Sequence, residues 1–336
     1  MINLQKFSTL IDLLAYFSSE KACIEYLEIL RWPNGMTCAY KECGHDKVSK
    51  YSNGKIYKCA KCRKQFSIKV GTIFEDSKIP LQKWYAAIYL ITSHKKGISS
   101  IQLGKDIGVT QKTAWYMNHR VRHSLGWDVE DKLSGIIEAD ETFIGGKEGN
   151  KHKSKRKEGQ QGRSTEVKTA VAGLVERGGN VIAKKVPDTS GNTLRKFVYE
   201  NVQKGSELHT DEWWGYKGLE KIFGHSIINH NAKEYVNGNT HINTMEGFWS
   251  LLKRGITGIY HSMSNKHLQK YIDEFVFRYN TRQLNESDRF NLMLSGLATH
   301  LPYQKLIVNE QQQPSWATDF KPTHREARYE QGSFGF

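Results

Sequence analysis

Two short cysteine pairs place the strongest constraint on what this chain can fold into. Cys38 and Cys43 enclose four residues, Cys59 and Cys62 enclose two, and fifteen residues separate the pairs. In a reducing compartment, clustered cysteines read as metal ligands rather than disulfides. Two knuckles joined through a β-hairpin supply the four thiolates of a tetrahedral Zn²⁺ site, with sulfurs about 2.3 Å from the metal. Such a site has no open coordination position, so its predicted role is structural. His45 is an alternative to one thiolate. The fifth cysteine, Cys23, falls on an apolar helical stripe and reads as core. From Lys47 to Val70 there are eight lysines and arginines and no carboxylate, with Tyr51, Tyr57 and Phe66 among them. A rigid cationic ribbon carrying aromatics is suited to phosphates and bases.

The whole chain, at 336 residues, is long enough for two or three domains. Its net charge of +14 favours a polyanionic partner, either nucleic acid or an acidic membrane surface. The most apolar run, Trp84 to Thr92, is too short to span a bilayer. The N-terminus lacks the features of a signal peptide, so the expected location is cytoplasmic, at the nucleoid if DNA is the partner.

Residues 8–31 and 81–126 carry helical periodicity. In the second stretch, Leu81 to Ser93 forms one predicted helix. Ser99 or Ser100 caps a second, Gly108 supplies a tight turn, and Thr110 caps a third through Leu125. In that third helix Ala114, Met117, Val121 and Leu125 form a buried stripe. Lys112, Trp115, His119 and Arg122 lie on another face. A short helix, a glycine turn and a longer basic helix make a helix-turn-helix arrangement, with those four residues facing DNA.

Three acidic positions follow. Asp140 ends the strand-like run from Ser134, and Asp211 follows the short strand Glu207 to Thr210. Glu246 lies on an amphipathic helix whose apolar stripe is Met245, Phe248, Trp249 and Leu252. Between the aspartates the pattern predicts a hairpin (166–175 and 180–186), a helix (193–202) and a further strand. This β-β-β-α-β order is that of a ribonuclease-H-like domain. In-line phosphodiester cleavage needs an activated oxygen nucleophile and a neutralised leaving oxygen. Two Mg²⁺ ions about 3.5–4 Å apart meet both needs, and carboxylates are their natural ligands. Lys147 to Lys157 carries six lysines and arginines, and Lys153, Lys155 and Arg156 are candidates for gripping a DNA backbone. Trp213, Trp214 and Tyr216 read as packing near the site.

The chain resembles the insertion-sequence transposases of bacteria that join a zinc ribbon to an Asp-Asp-Glu catalytic domain. The segments that carry the likeness are LEILRWPNGMTC, YKCAKCRKQFSIKVGTIFEDSKIPLQKW, IEADETFIGG, LHTDEWWGY, HINTMEGFWSLLKRGI and FVFRYNTR. The resemblance implies that Asp140, Asp211 and Glu246 bind the catalytic Mg²⁺ (or Mn²⁺). It also implies that Lys253, seven positions after Glu246 and on the same helix face, is the usual basic partner. Some relatives use asparagine as the third residue, and Asn243 is the alternative here. Glu141 and Glu212 directly follow the two aspartates and are easily mistaken for ligands. Lys253 and Arg254 join the DNA-facing set.

The predicted architecture is α/β: a ribonuclease-H-like mixed sheet with flanking helices, preceded by a small zinc ribbon and a helical helix-turn-helix module. The expected segments are an N-terminal helical part (1–35), the ribbon (36–76), the helix-turn-helix (77–130), the catalytic domain (131–285) and a C-terminal tail (286–336). The resemblance implies Mg²⁺-dependent strand cleavage and strand transfer on double-stranded DNA, at terminal inverted repeats and at target. It further implies a homodimer or larger assembly, and no membrane. The alternatives are a non-catalytic DNA-binding regulator and a nuclease without strand transfer.

Overall fold

The computed structural model describes residues 6–126, 131–146, 152–155, 168–228, 240–261, 263–297 and 301–307. The expected N-terminal helical stretch is two helices, α1 (Leu10–Tyr16) and α2 (Glu20–Arg31). Thr9 and Asp12 form a reciprocal capping box on the first, and Ser19 caps the second. A three-stranded antiparallel ribbon follows, with β1 (Val48–Lys50), β2 (Ile56–Cys59) and β3 (Gln65–Ser67) in that spatial order. Then come α3 (Leu81–Ser93), α4 (Ser100–Ile107) and α5 (Gln111–Ser124). Ser99 and Thr110 cap the last two, and Gly108 makes the turn between them at φ 63°. That left-handed backbone is one which a Cβ would strain.

These pieces share one core. Leu13, Phe17, Leu27, Tyr57, Trp84, Leu103 and Val121 all belong to a single buried cluster. Residues 286–297, expected to open a tail, complete that core instead. Helix α9 (Glu286–Ser295) puts Phe290 edge-on against Phe7 and Tyr85, with ring centres 5.2 and 5.6 Å apart. The reason is a helical stripe of Phe290, Met293 and Leu294, all buried. A last short helix, α10 (Tyr303–Ile307), precedes residues 308–336, which lie outside the described residues.

The second half is built on a five-stranded sheet, order β6-β5-β4-β7-β8. Its strands are β4 (Ile136–Ile144), β5 (Thr169–Glu176), β6 (Val181–Val186), β7 (Glu207–Asp211) and β8 (Gly224–Ile228). The first three pair antiparallel, while β4, β7 and β8 run parallel. Helix α6 (Gly191–Asn201) connects β6 to β7 and covers one face through Leu194, Phe197 and Val198. Helices α7 (Asn243–Gly255) and α8 (Leu268–Asn280) cover the other through Met245, Phe248, Trp249, Ile272 and Phe275. The interior strand β5, second from the edge, is accordingly buried on both faces. The β-β-β-α-β order appears as expected, with β8 added. Strand β4 does not stop at Asp140 but runs on to Ile144, paired with β5.

The two halves meet where α5 packs on α8, and this corrects the expected DNA face of α5. Arg122 is 2% exposed and its Nε donates to Glu274 at 2.6 Å, while the Glu274 side chain is fully buried. Tyr260 and Tyr271 flank the guanidinium. His119 is also fully buried, against Trp115 and His267. Both residues face the half built on the five-stranded sheet rather than solvent, because an acidic partner on α8 draws that side of α5 inward. Trp115 is half-buried and Lys112 stays exposed. Tyr57 and Phe66 are likewise unavailable for base stacking, being stacked on each other in the core, whereas Tyr51 is exposed. Among the described residues, no helix is long and apolar enough to cross a membrane.

Candidate functional site

The four ribbon cysteines converge, with all four sulfurs within 4.8 Å of one another. The Cys38–Cys62 and Cys43–Cys59 sulfur distances are both 3.7 Å. A tetrahedron with 2.3 Å arms has edges of about 3.8 Å, so the cradle has the size that Zn²⁺ requires. Burial would raise the Cys59 thiol, but the amides of Cys62 and Lys61 lower it to about 7, which makes a thiolate accessible near neutral pH. His45 pairs instead with Asp46 at 2.9 Å and is not part of the group. The ribbon is fixed to α2 by Arg31, which donates to the carbonyls of Ile68 and Val70.

The second convergence is acidic. Strands β4 and β7 pair in parallel with Glu138 opposite His209. Two residues further on, the same register sets Asp140 level with Asp211, just where the β4–β7 ladder has ended. Ligand oxygens of Asp140, Glu141 and Asp211 lie within 4.8 Å of one another. Asp140 Oδ1 accepts from the Glu141 amide at 2.8 Å, and Asp211 Oδ1 accepts from the Trp213 amide at 3.0 Å. The Tyr216 hydroxyl donates to Glu141 Oε2 at 3.0 Å. Tyr216 is buried beneath the site, Trp213 is half-buried with Nε1 donating to the Thr189 carbonyl, and Trp214 is exposed.

A cleft of about 600 Å³ opens over Asp140 and Glu141, lined also by Glu246, Ser250, Lys253 and Arg254; Asp211 is not among its lining residues. Glu246 therefore faces Asp140 across the cleft but stands outside the close trio. Lys253 and Arg254, both exposed, stand along the same wall of α7. Asn243 is exposed at the first turn of α7 and is not among the lining residues. Glu212 is exposed and outside the trio. Lys153 is exposed in a short turn (Lys153–Lys155), and Arg156 lies outside the described residues.

The electrostatics fit a cation site. Burial, followed by the charges of Glu141, Asp211 and Glu246, pushes the Asp140 carboxyl up to about 8. A group of carboxylates held this close is relieved by a hard cation with oxygen preference, such as Mg²⁺ or Mn²⁺. Glu141 was legible in the sequence only as the neighbour of an aspartate. It joins the trio because β4 continues past Asp140 and Tyr216 steadies its side chain from the opposite face. Gly173, the Cα partner of Asp140, is a second feature the sequence did not expose. A Cβ there would come within 2.4 Å of Met245 and 2.6 Å of Trp249, so only glycine lets α7 press on the sheet at this level.

Comparison with known proteins finds matches for both parts of the chain. The family model described as the ISXO2-like transposase domain matches residues 132–280, and that of the transposase zinc-ribbon domain matches residues 18–65. The chain is similar to an uncharacterized protein in transposable element ISH50 of Halobacterium salinarum. The two are 30% identical over 276 residues, which span 78% of this chain and 91% of the relative. No solved structure matches the chain.

Proposed function

The chain belongs to the ISXO2-like transposase family, with a zinc ribbon and a ribonuclease-H-like catalytic sheet, and on that premise we propose that it cuts and joins DNA at the ends of a mobile element. The observation that carries this reading is the meeting of Asp140, within β4, and Asp211, at the end of the neighbouring β7, beside a cleft that Asp140 lines together with Glu246, Lys253 and Arg254. Asp140, Asp211 and Glu246 are the proposed ligands of two divalent ions, Mg²⁺ or Mn²⁺, with Glu141 at hand beside them. The chemistry such ions supply when bound is activation of the attacking oxygen and neutralisation of the leaving one.

The chain's own residues supply position and charge. Asp140 and Asp211 are fixed by the β4–β7 pairing, and Glu246 is carried toward them by a helix clamped onto the sheet. Lys253 lies nearly two helical turns beyond Glu246, where an ammonium group can hold a phosphate of the DNA backbone over the acids. Arg254 beside it adds a second phosphate contact, and Lys153, Lys155 and Arg156 are the proposed contacts to the flanking backbone. In the first step water cleaves the strand at the element end. In the second, the freed 3′-hydroxyl attacks a target phosphodiester, forming the new P–O bond as the target's own P–O3′ bond breaks and its 3′-oxygen leaves as a hydroxyl.

Recognition of the terminal inverted repeats is assigned to the ribbon and to the exposed part of the helix-turn-helix. Lys55, Lys58, Lys61, Arg63 and Lys64 are exposed on the ribbon, and Lys112 at the start of α5. With Arg122 and His119 buried, the α5 contribution falls to its N-terminal end. Pairing two DNA ends calls for a homodimer or larger assembly, acting in the cytoplasm on nucleoid DNA. Structural Zn²⁺ holds the ribbon through Cys38, Cys43, Cys59 and Cys62.

The test is an incubation of the purified chain with labelled DNA carrying the inverted repeats that flank its gene, with and without Mg²⁺. Cleaved and joined products that vanish with a chelator are expected. Binding without any product would favour the regulator reading, and cut ends that never join would favour a plain nuclease.

A further inference from the structure

Two residues before Asp140, on the same face of β4, lies Glu138, whose side chain is fully buried. A carboxylate in that position is costly unless charge and hydrogen bonds surround it. Glu138 is surrounded. Its Oε2 accepts from the backbone amides of Thr244 and Met245 at 2.8 and 3.0 Å, and its Oε1 accepts from the Thr244 hydroxyl at 2.8 Å. Arg177 Nε donates to Oε1 at 2.7 Å, and His241 Nδ1 lies 3.2 Å from the same oxygen.

The amides it satisfies open the helix that bears Glu246. Helix α7 has no side-chain cap of its own. The first turn of a helix presents unpaired N–H groups and a partial positive charge, both of which a carboxylate satisfies. Glu138 thus caps α7 from the neighbouring strand. Arg177 extends the link: its Nη2 donates to His209 Nδ1 at 3.1 Å and to the His241 carbonyl at 2.9 Å. His209 Nε2 donates in turn to Glu207 at 2.7 Å. His209 is the Cα partner of Glu138 and stands two residues before Asp211.

Each of the three proposed cation ligands is therefore anchored, within two residues along its own element, to one buried knot. Resting on the transposase reading above, we infer that Glu138 is a positioning residue that holds Glu246 on α7 in register with Asp140 and Asp211. It contacts neither substrate nor cation. Its work is to keep three elements at a fixed spacing under the cleft, as outer-shell partners do at metal sites.

The experiment is a calorimetric titration of Mn²⁺ into the full chain, run alongside element-end cleavage and a thermal melt. Glu138→Gln keeps the shape but loses the charge that holds Arg177 and the amides. It should weaken Mn²⁺ binding about 10- to 100-fold and raise the cation level for half-maximal cleavage in step, with DNA affinity unchanged. Thr244→Ala removes one donor and should weaken Mn²⁺ binding about fivefold, which corresponds to one ordinary hydrogen bond. It decides the matter if Glu138→Gln does not fold. Wild-type binding of Mn²⁺ with unaltered affinity in the folded variants would overturn the positioning role, leaving Glu138 a contributor to stability alone. A wild-type chain that binds no Mn²⁺ would overturn the transposase mechanism and this inference together.

Discussion

Asp140→Asn and Asp211→Asn are each expected to lower cation-dependent strand cleavage by about a thousandfold or more, while affinity for element-end DNA stays within about twofold. The size follows from the several kcal/mol by which bound cations lower such a barrier, since about 4 kcal/mol is a thousandfold in rate. The proposed binding surfaces lie on other elements, so DNA affinity should be spared. Asp140→Asn should also make the cation-free protein more stable. The Asp140 carboxyl is raised from 3.8 to about 8, first by burial and then by Glu141, Asp211 and Glu246. A folded-state pKa above the unfolded value means that the folded chain binds the extra proton, so wild-type stability falls as pH rises between about 4 and about 8. The amide has no charge to repel. Melting curves in chelator across that range should show the variant gaining on the wild type toward pH 8, and added Mg²⁺ should restore the wild type alone. Cleavage by either variant at the wild-type rate would remove the aspartates from the mechanism.

Glu274→Gln is expected to destabilise the fold by about 3–5 kcal/mol, the usual cost of removing one partner of a buried ion pair. Burial alone would raise the Glu274 carboxyl. Arg122 and Arg278, with hydrogen bonds from Arg122 and Tyr260, hold it down to about 2. Its depressed pKa contributes stability above its ordinary 4.5, and that contribution is lost as pH falls toward about 2. Removing the carboxylate strands Arg122, which is fully buried between Tyr260 and Tyr271. The pair spans α5 and α8, so the damage should appear at the junction of the N-terminal helical half and the half built on the five-stranded sheet. A urea titration measures it, and a loss under about 1 kcal/mol would show that the junction does not depend on this pair.

The sequence exposes those parts of the molecule that depend on local chemistry. The ribbon could be read because four thiols at fixed spacing have few other uses. The three helices after it could be read from Ser99, Gly108 and Thr110, whose roles at helix ends are set within a few residues. The aspartates could be read because strand order and family likeness agree on them. Tertiary partners are what it hides. Arg122 looks like a DNA contact on a helical wheel, and only the arrival of Glu274 from a distant helix turns it inward. Phe290 looks like the start of a tail until it meets Phe7 and Tyr85. Glu138 gives a faint signal, a charge inside the apolar run Ile136 to Ala139, yet its use depends on helix amides more than a hundred residues away. Glu141 and Glu246 mark the same limit at the site. Periodicity gives the face of each element but not which carboxylate the folded chain brings nearest to Asp140.

The most direct measurement is the position of Mn²⁺ in crystals of the full chain, read from its anomalous scattering. The account predicts ions between the carboxylates of Asp140 and Asp211, with Glu246 drawn onto one of them from across the cleft. Density for Mn²⁺ elsewhere, with the two aspartates unligated at saturating ion, would contradict it.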